Sequence, residues 1–173
     1  SEEDYGVSLM NDCKYGYSVH GSDMSITLLK SATYPNPDAD KCEHRFVYSI
    51  YPHRGNHRSG GTYAAAYNLN VPMYAMALGK QSGKLPCEYS FVSADCENVI
   101  IDTVKKTEDG SGTLIRMFEA HNRRCRTHIK LGFAATGVFL ADLSENKLSE
   151  LKIKDGEVEI EIKPFEIITL IAE

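Results

Sequence analysis

The 173 residues contain no tryptophan, and several other features are missing. No stretch approaches the ~20 consecutive apolar residues that a membrane-spanning helix needs. No Asn-x-Ser/Thr triplet offers an N-glycosylation acceptor. The five cysteines, Cys13, Cys42, Cys87, Cys96 and Cys125, are odd in number and include no Cys-x-x-Cys pair. That pattern argues against both a structural zinc site and a disulfide framework. The start, Ser1-Glu2-Glu3-Asp4, is the reverse of a basic, apolar signal sequence. Together these absences predict a cytoplasmic chain with free thiols and no membrane partner. Positive charge is also short, with 19 Lys+Arg against 24 Asp+Glu and a formal charge of −5. The balance excludes a general nucleic-acid binder, because phosphate binding needs concentrated Lys and Arg to release counterions. The one dense basic cluster, Arg123, Arg124 and Arg126, reads as a solvated loop between strands.

Hydrophobic residues make up 42% of the chain, enough at this length to bury a core without staples or metals. The length suits one ordinary domain or two very small ones, and since no repeat or composition break marks a second, one domain, 1–173, is expected. Alternation with a period of two dominates. At the end of the chain Ile153, Val158, Ile160 and Ile162 alternate with charged residues around Asp155-Gly156, a two-residue hairpin signal. Phe165 to Ile171 is more continuously apolar and reads as a buried strand. Further strands are predicted over 6–10, 25–29, 46–51, 89–92, 98–105, 113–119, 127–133 and 137–143. Tyr34-Pro35-Asn36-Pro37-Asp38-Ala39-Asp40 is a loop, since each proline bars its predecessor from helix. One short helix is expected over 62–69, with Thr62 as N-cap and Asn70 and Pro72 ending it. The sum is an all-β chain: an antiparallel β-sandwich with one short helix.

Catalytic spacings are scarce. Gly79-Lys80-Gln81-Ser82-Gly83-Lys84 fails as a phosphate loop, with one residue too few between its glycines and Leu85 where a hydroxyl should hold magnesium. His53 and His57 would share a helix face as metal ligands, but Pro52, Gly55 and Asn56 forbid a helix there. Paired carboxylates for glycoside hydrolysis must sit about 5–10 Å apart, and spacing along the sequence cannot select a pair. Asp12, beside Lys14 and Tyr15, reads either as a turn-capping side chain or as a contact to a polar ligand. Glu119 reads as a strand-end charge paired with Arg116. Cys13 beside Lys14 is at most a weakly activated thiol.

Longer words say more. Val7 to Val19, containing Asn11-Asp12-Cys13-Lys14-Tyr15-Gly16-Tyr17, is followed by Ser25-Ile26-Thr27-Leu28-Leu29-Lys30-Ser31 and by the Tyr34 to Asp40 loop. Then come His44-x-Phe46-x-Tyr48, Tyr51-Pro52-His53, Ala65 to Asn70, Val104 to Asp109, Phe118-Glu119-Ala120-His121 and Lys163 to Ile167. In this order the words resemble the C-terminal region of glycoside hydrolase family 38 α-mannosidases, in their cytosolic and bacterial branch. The resemblance implies part of a galactose-mutarotase-like supersandwich. It also implies a parent enzyme that hydrolyses terminal α-mannosyl residues through a covalent intermediate, with zinc or another divalent metal. In the family the metal and the aspartate nucleophile belong to an N-terminal domain. Its His-x-Asp motif does not occur in this chain, so the resemblance implies no catalytic residue, no metal ligand and no cofactor within these residues.

What the resemblance suggests for the chain itself is a loop, Asn11, Asp12, Lys14, Tyr15 and Gly16, that leans towards the catalytic domain. Its amide, carboxylate, ammonium and phenol either complete the sugar pocket or seat one domain against the next. Gly16 would permit the sharp turn that presents them. His44, Tyr48 and His53 either line an inter-domain surface or belong to the core, and Glu119 has no role assigned beyond strand-end contacts. Three functional classes remain open at this stage. The first is a non-catalytic domain whose partners are the rest of an α-mannosidase chain and a mannose-containing oligosaccharide. The second is an autonomous carbohydrate-binding module, and the third is a structural domain that forms a homo-oligomer.

Overall fold

The computed structural model describes residues 4–173; Ser1-Glu2-Glu3, most of the acidic start, lies outside the described residues. Two compact units follow one another, the first ending at Leu78 and the second spanning Gly79–Glu173. Residues 71–91 hold no helix or strand.

In the first unit, β1 (Tyr5–Asn11) and β4 (Tyr48–Arg54) pair antiparallel along their full length, from Tyr5 opposite Arg54 to Asn11 opposite Tyr48. Between them β2 (Tyr17–His20) and β3 (Asp23–Ile26) form a short hairpin that turns at Gly21, whose φ is 58°. The helix α1 (Thr62–Asn70) follows β4. Pairing fixes which side chains share a face, because successive residues of a strand point to opposite sides. Gly6, Ser8 and Met10 lie with Ser49, Tyr51 and His53 on the α1 side. There Ser8 Oγ bonds Thr62 Oγ1 at 2.8 Å and the Tyr51 hydroxyl donates to the Gly60 carbonyl at 3.0 Å. The other face carries Tyr5, Val7 and Leu9 beside Tyr48, Ile50 and Pro52. Ile50 is 68% exposed and Tyr48 55%. Among the described residues of this unit, only Gly6, Met10 and His53 are buried.

Thr62 is the first residue of α1 rather than its cap. The N-cap is Gly61, at φ 71°, with no side-chain bond to the helix. The Gly60-Gly61 pair lets the chain enter through a left-handed residue, which leaves the Thr62 hydroxyl free to reach Ser8.

The second unit is a sandwich. One sheet has the order β10-β9-β13-β7-β6 and the other β11-β12-β8-β5, with every pairing antiparallel. The strands are β5 (Val92–Ala94), β6 (Val99–Lys106), β7 (Thr113–Glu119), β8 (Cys125–Leu131), β9 (Val138–Ala141), β10 (Lys147–Leu151), β11 (Ile153–Lys154), β12 (Glu157–Ile162) and β13 (Ile167–Ala172). Ile115, Met117, Val138, Ile168 and Leu170 of the first sheet meet Ile129, Val158, Ile160 and Ile162 of the second in one buried cluster. The expected Asp155-Gly156 turn is present, both residues having positive φ and Lys154 pairing with Glu157. The strand expected over 89–92 begins instead at Val92. The two strands missed in the sequence are β2 and β10.

Candidate functional site

The loop after β1 is held mainly by its own side chains. Asn11 Oδ1 accepts from the backbone N–H of Cys13 at 2.9 Å and from that of Lys14, an Asx turn that folds the chain back. Its amide donates to the Tyr17 hydroxyl. Asn11 and Asp12 also tie the loop to neighbouring segments. The Asn11 carbonyl accepts from Asn70 Nδ2 at 3.2 Å. Asp12 exchanges two bonds with Val47: its N–H donates to the Val47 carbonyl at 3.1 Å and its Oδ1 accepts the Val47 N–H at 2.9 Å. Those contacts, the Val47 N–H first and the Cys13 side chain second, hold the Asp12 carboxyl below its ordinary range. The residue that caps the turn is Asn11, whereas Asp12 bridges to Val47, 35 residues along the chain. Lys14 lies over the Phe46 ring, 4.6 Å from its centroid, which leaves Tyr15, 94% exposed, as the outward-pointing group.

Gly16 does not adopt a left-handed backbone. Its lack of a side chain serves a close approach instead, since a β-carbon there would sit 3.0 Å from Thr27 Cβ. Its carbonyl accepts the Thr27 N–H at 2.8 Å.

The three weaker strand candidates separate. His53 is buried, with Nε2 3.0 Å from Ser8 Oγ. Its ring lies between Gly6 and Gly60, where a β-carbon at either position would collide with it. Tyr48 is exposed on the opposite face, and the half-buried His44 bonds the Asp40 carbonyl at 2.8 Å. These residues do not converge.

Glu119 is not a strand-end charge paired with Arg116. Arg116 donates to Thr169 Oγ1 and to the Leu143 carbonyl, whereas Glu119 is fully buried. Its Oε1 accepts from Asn98 Nδ2 at 2.8 Å and from the His121 N–H at 2.7 Å, and its Oε2 from the Phe165 N–H at 3.0 Å. Burial pushes the carboxyl up, but these bonds outweigh it and bring the pKa down to about 2. The signal was present in the sequence, because Ile115, Met117 and Glu119 share one strand parity.

A second polar constellation escaped sequence reading. Asp95 Oδ1 accepts from Thr127 Oγ1 at 2.7 Å and the His128 N–H at 2.9 Å, while Oδ2 lies 2.8 Å from His128 Nδ1. Glu159 Oε2 stands 3.4 Å from His128 Nε2. The Asp95 contact, ahead of Glu159, raises the His128 pKa, and Thr127 and His128 lower that of Asp95. Among the described residues no group of three His, Cys, Asp or Glu side chains fits a metal ion, and none of their helices is long and apolar enough to cross a membrane.

Two-layer antiparallel packing defines the second unit as a β-sandwich module, and comparison with known proteins places the chain more closely. Residues 98–170 match the glycosyl hydrolases family 38 C-terminal beta sandwich domain, and residues 1–38 match the glycosyl hydrolases family 38 C-terminal domain. The chain belongs to the C-terminal region of that family. It is 32% identical to Alpha-mannosidase 2C1 of Homo sapiens over 176 residues, 99% of this chain and 17% of that protein. Alpha-mannosidase G of Dictyostelium discoideum is 39% identical over 121 residues, 69% of this chain and 11% of that protein. The crystal structure of an alpha-mannosidase from Enterococcus faecalis V583 shares the fold, with a TM-score of 0.79 at 21% identity, covering 100% of this chain and 20% of that one. The chain therefore spans less than a fifth of the length of these two curated relatives.

Proposed function

We propose that these residues are a non-catalytic C-terminal part of a cytoplasmic, retaining, metal-dependent α-mannosidase that hydrolyses terminal α-mannosyl residues of oligosaccharides. The observation that carries this reading is the partly exposed apolar face of the β1–β4 ribbon. Two strands alone are marginal in water. Tyr5, Val7, Leu9, Tyr48, Ile50 and Pro52 form an apolar surface on the side away from α1, the kind of patch that marks an interface. Its occupant is the rest of the α-mannosidase polypeptide, since the matched relatives are several times longer than this chain. Zinc or another divalent metal, with the nucleophilic carboxylate, belongs in this reading to that remainder. Asn11 and Asp12 serve by fixing the loop, and Tyr15 is the group it presents to the neighbouring domain and the sugar pocket.

The test uses the full-length protein. Ile50→Asp should lower its unfolding midpoint and its hydrolysis of an aryl α-mannoside, yet leave the 173-residue chain unaffected. An unchanged full-length protein would remove the basis for the interface. Tyr15→Phe should lower kcat/KM without changing stability, and unchanged kinetics would restrict the loop to seating the domain. Mannose binding to the 173-residue chain at millimolar or tighter concentration would favour an autonomous carbohydrate-binding module instead.

A further inference from the structure

Cys13, Cys42 and Cys87 are exposed, whereas Cys96 and Cys125 are half-buried and pack against the core of the second unit. Cys96 lies two residues beyond β5, and Cys125 opens β8, the strand with which β5 pairs. The Cys96 thiol donates to the carbonyl of Arg126, next in sequence to Cys125, at 3.3 Å. Cys125 Sγ lies 3.4 Å from Asn98 Nδ2. Both flanks are fixed, because Asp95 grips Thr127 and His128 of β8 while Asn98 grips Glu119.

We propose that Cys96 and Cys125 form a dithiol site that a peroxide converts into an intramolecular disulfide. The Cys96 thiolate attacks the peroxide, forming an S–O bond as the O–O bond breaks and water leaves. The Cys125 thiolate then attacks the resulting sulfenic sulfur, forming the S–S bond as a second water leaves. Two thiol protons and two electrons pass to one hydrogen peroxide, giving two waters. Burial, with Cys96 beside it, pushes the Cys125 thiol up, so Cys96 makes the first attack and Cys125 resolves it. A thiol reductant reverses the reaction.

The test takes the chain carrying Cys13→Ser, Cys42→Ser and Cys87→Ser, which removes the exposed thiols and keeps the pair. Sub-millimolar hydrogen peroxide should lower its mass by two hydrogens, block alkylation at both remaining cysteines and raise the urea midpoint, all reversed by dithiothreitol. Adding Cys125→Ser should abolish the two-hydrogen loss and leave one oxygen added at Cys96. Two alkylatable thiols after peroxide, oxygen addition to the intact pair without loss of hydrogens, or a lower urea midpoint after oxidation would each overturn the proposal.

Discussion

Glu119 offers the sharpest perturbation. Its carboxylate accepts three bonds of 2.7–3.0 Å, from Asn98, His121 and Phe165, at a position closed to solvent. Bonds to a charged group contribute about 1.5–3 kcal/mol each, and a buried donor left without an acceptor costs about 1–3 kcal/mol. The contributions overlap because the donors share one acceptor group, so Glu119→Ala should cost on the order of 4 kcal/mol. Glu119→Gln keeps the shape but turns an N–H towards a donor, and should cost on the order of 2 kcal/mol. Urea unfolding followed by far-UV circular dichroism measures both, a suitable method for a chain without tryptophan. The same bonds predict a pH dependence. The carboxyl falls from its ordinary 4.5 to about 2 in the folded protein, so its stabilisation is present above pH 4.5 and is lost as pH falls through about 2. The shift corresponds to roughly 3 kcal/mol, and Glu119→Gln should flatten the stability profile in that window. A loss below about 1 kcal/mol for Glu119→Ala, or an unchanged acid profile for Glu119→Gln, would refute the reasoning.

Two further outcomes follow from the geometry. Gly60→Ala should destabilise the first unit by about 1–3 kcal/mol, because its β-carbon meets the buried His53 ring; hydrogen exchange in β1 and β4 would report it. His128 has its pKa raised by Asp95, so its pairing stabilises the fold below the unfolded value near 6.5 and fades as pH rises through the higher folded value. Asp95→Asn should bring the His128 titration measured by NMR back down, and an unmoved titration would discount the contact.

Much of the second unit was legible because burial of one strand face imposes alternation. β7 falls on 113–119 as expected, and the Asp155-Gly156 turn announces the hairpin between β11 and β12. β10 was hidden because its register with β9 shifts between Lys147 and Ser149, which breaks the alternation. β2 was hidden because none of its four residues is buried. The loop could be located but not oriented. Sequence places an amide and a carboxylate at Asn11 and Asp12, yet only folding decides that both turn back onto backbone N–H groups. Glu119 was misread because its charge outweighed its parity. The pairing of Asp95 with His128 joins residues 33 apart, a separation that local pattern does not encode.

The matched sandwich domain begins at residue 98, six residues after the start of β5. A protein trimmed to that boundary would keep Asn98 and its grip on Glu119 but discard the strand that closes β8 on one side. The bared edge of β8 would then be open to pairing with a second molecule, while Thr127 and His128 would lose the carboxylate that gathers them. The folded sandwich therefore starts upstream of its family boundary, and Val92-Ser93-Ala94 acts as its protective selvedge.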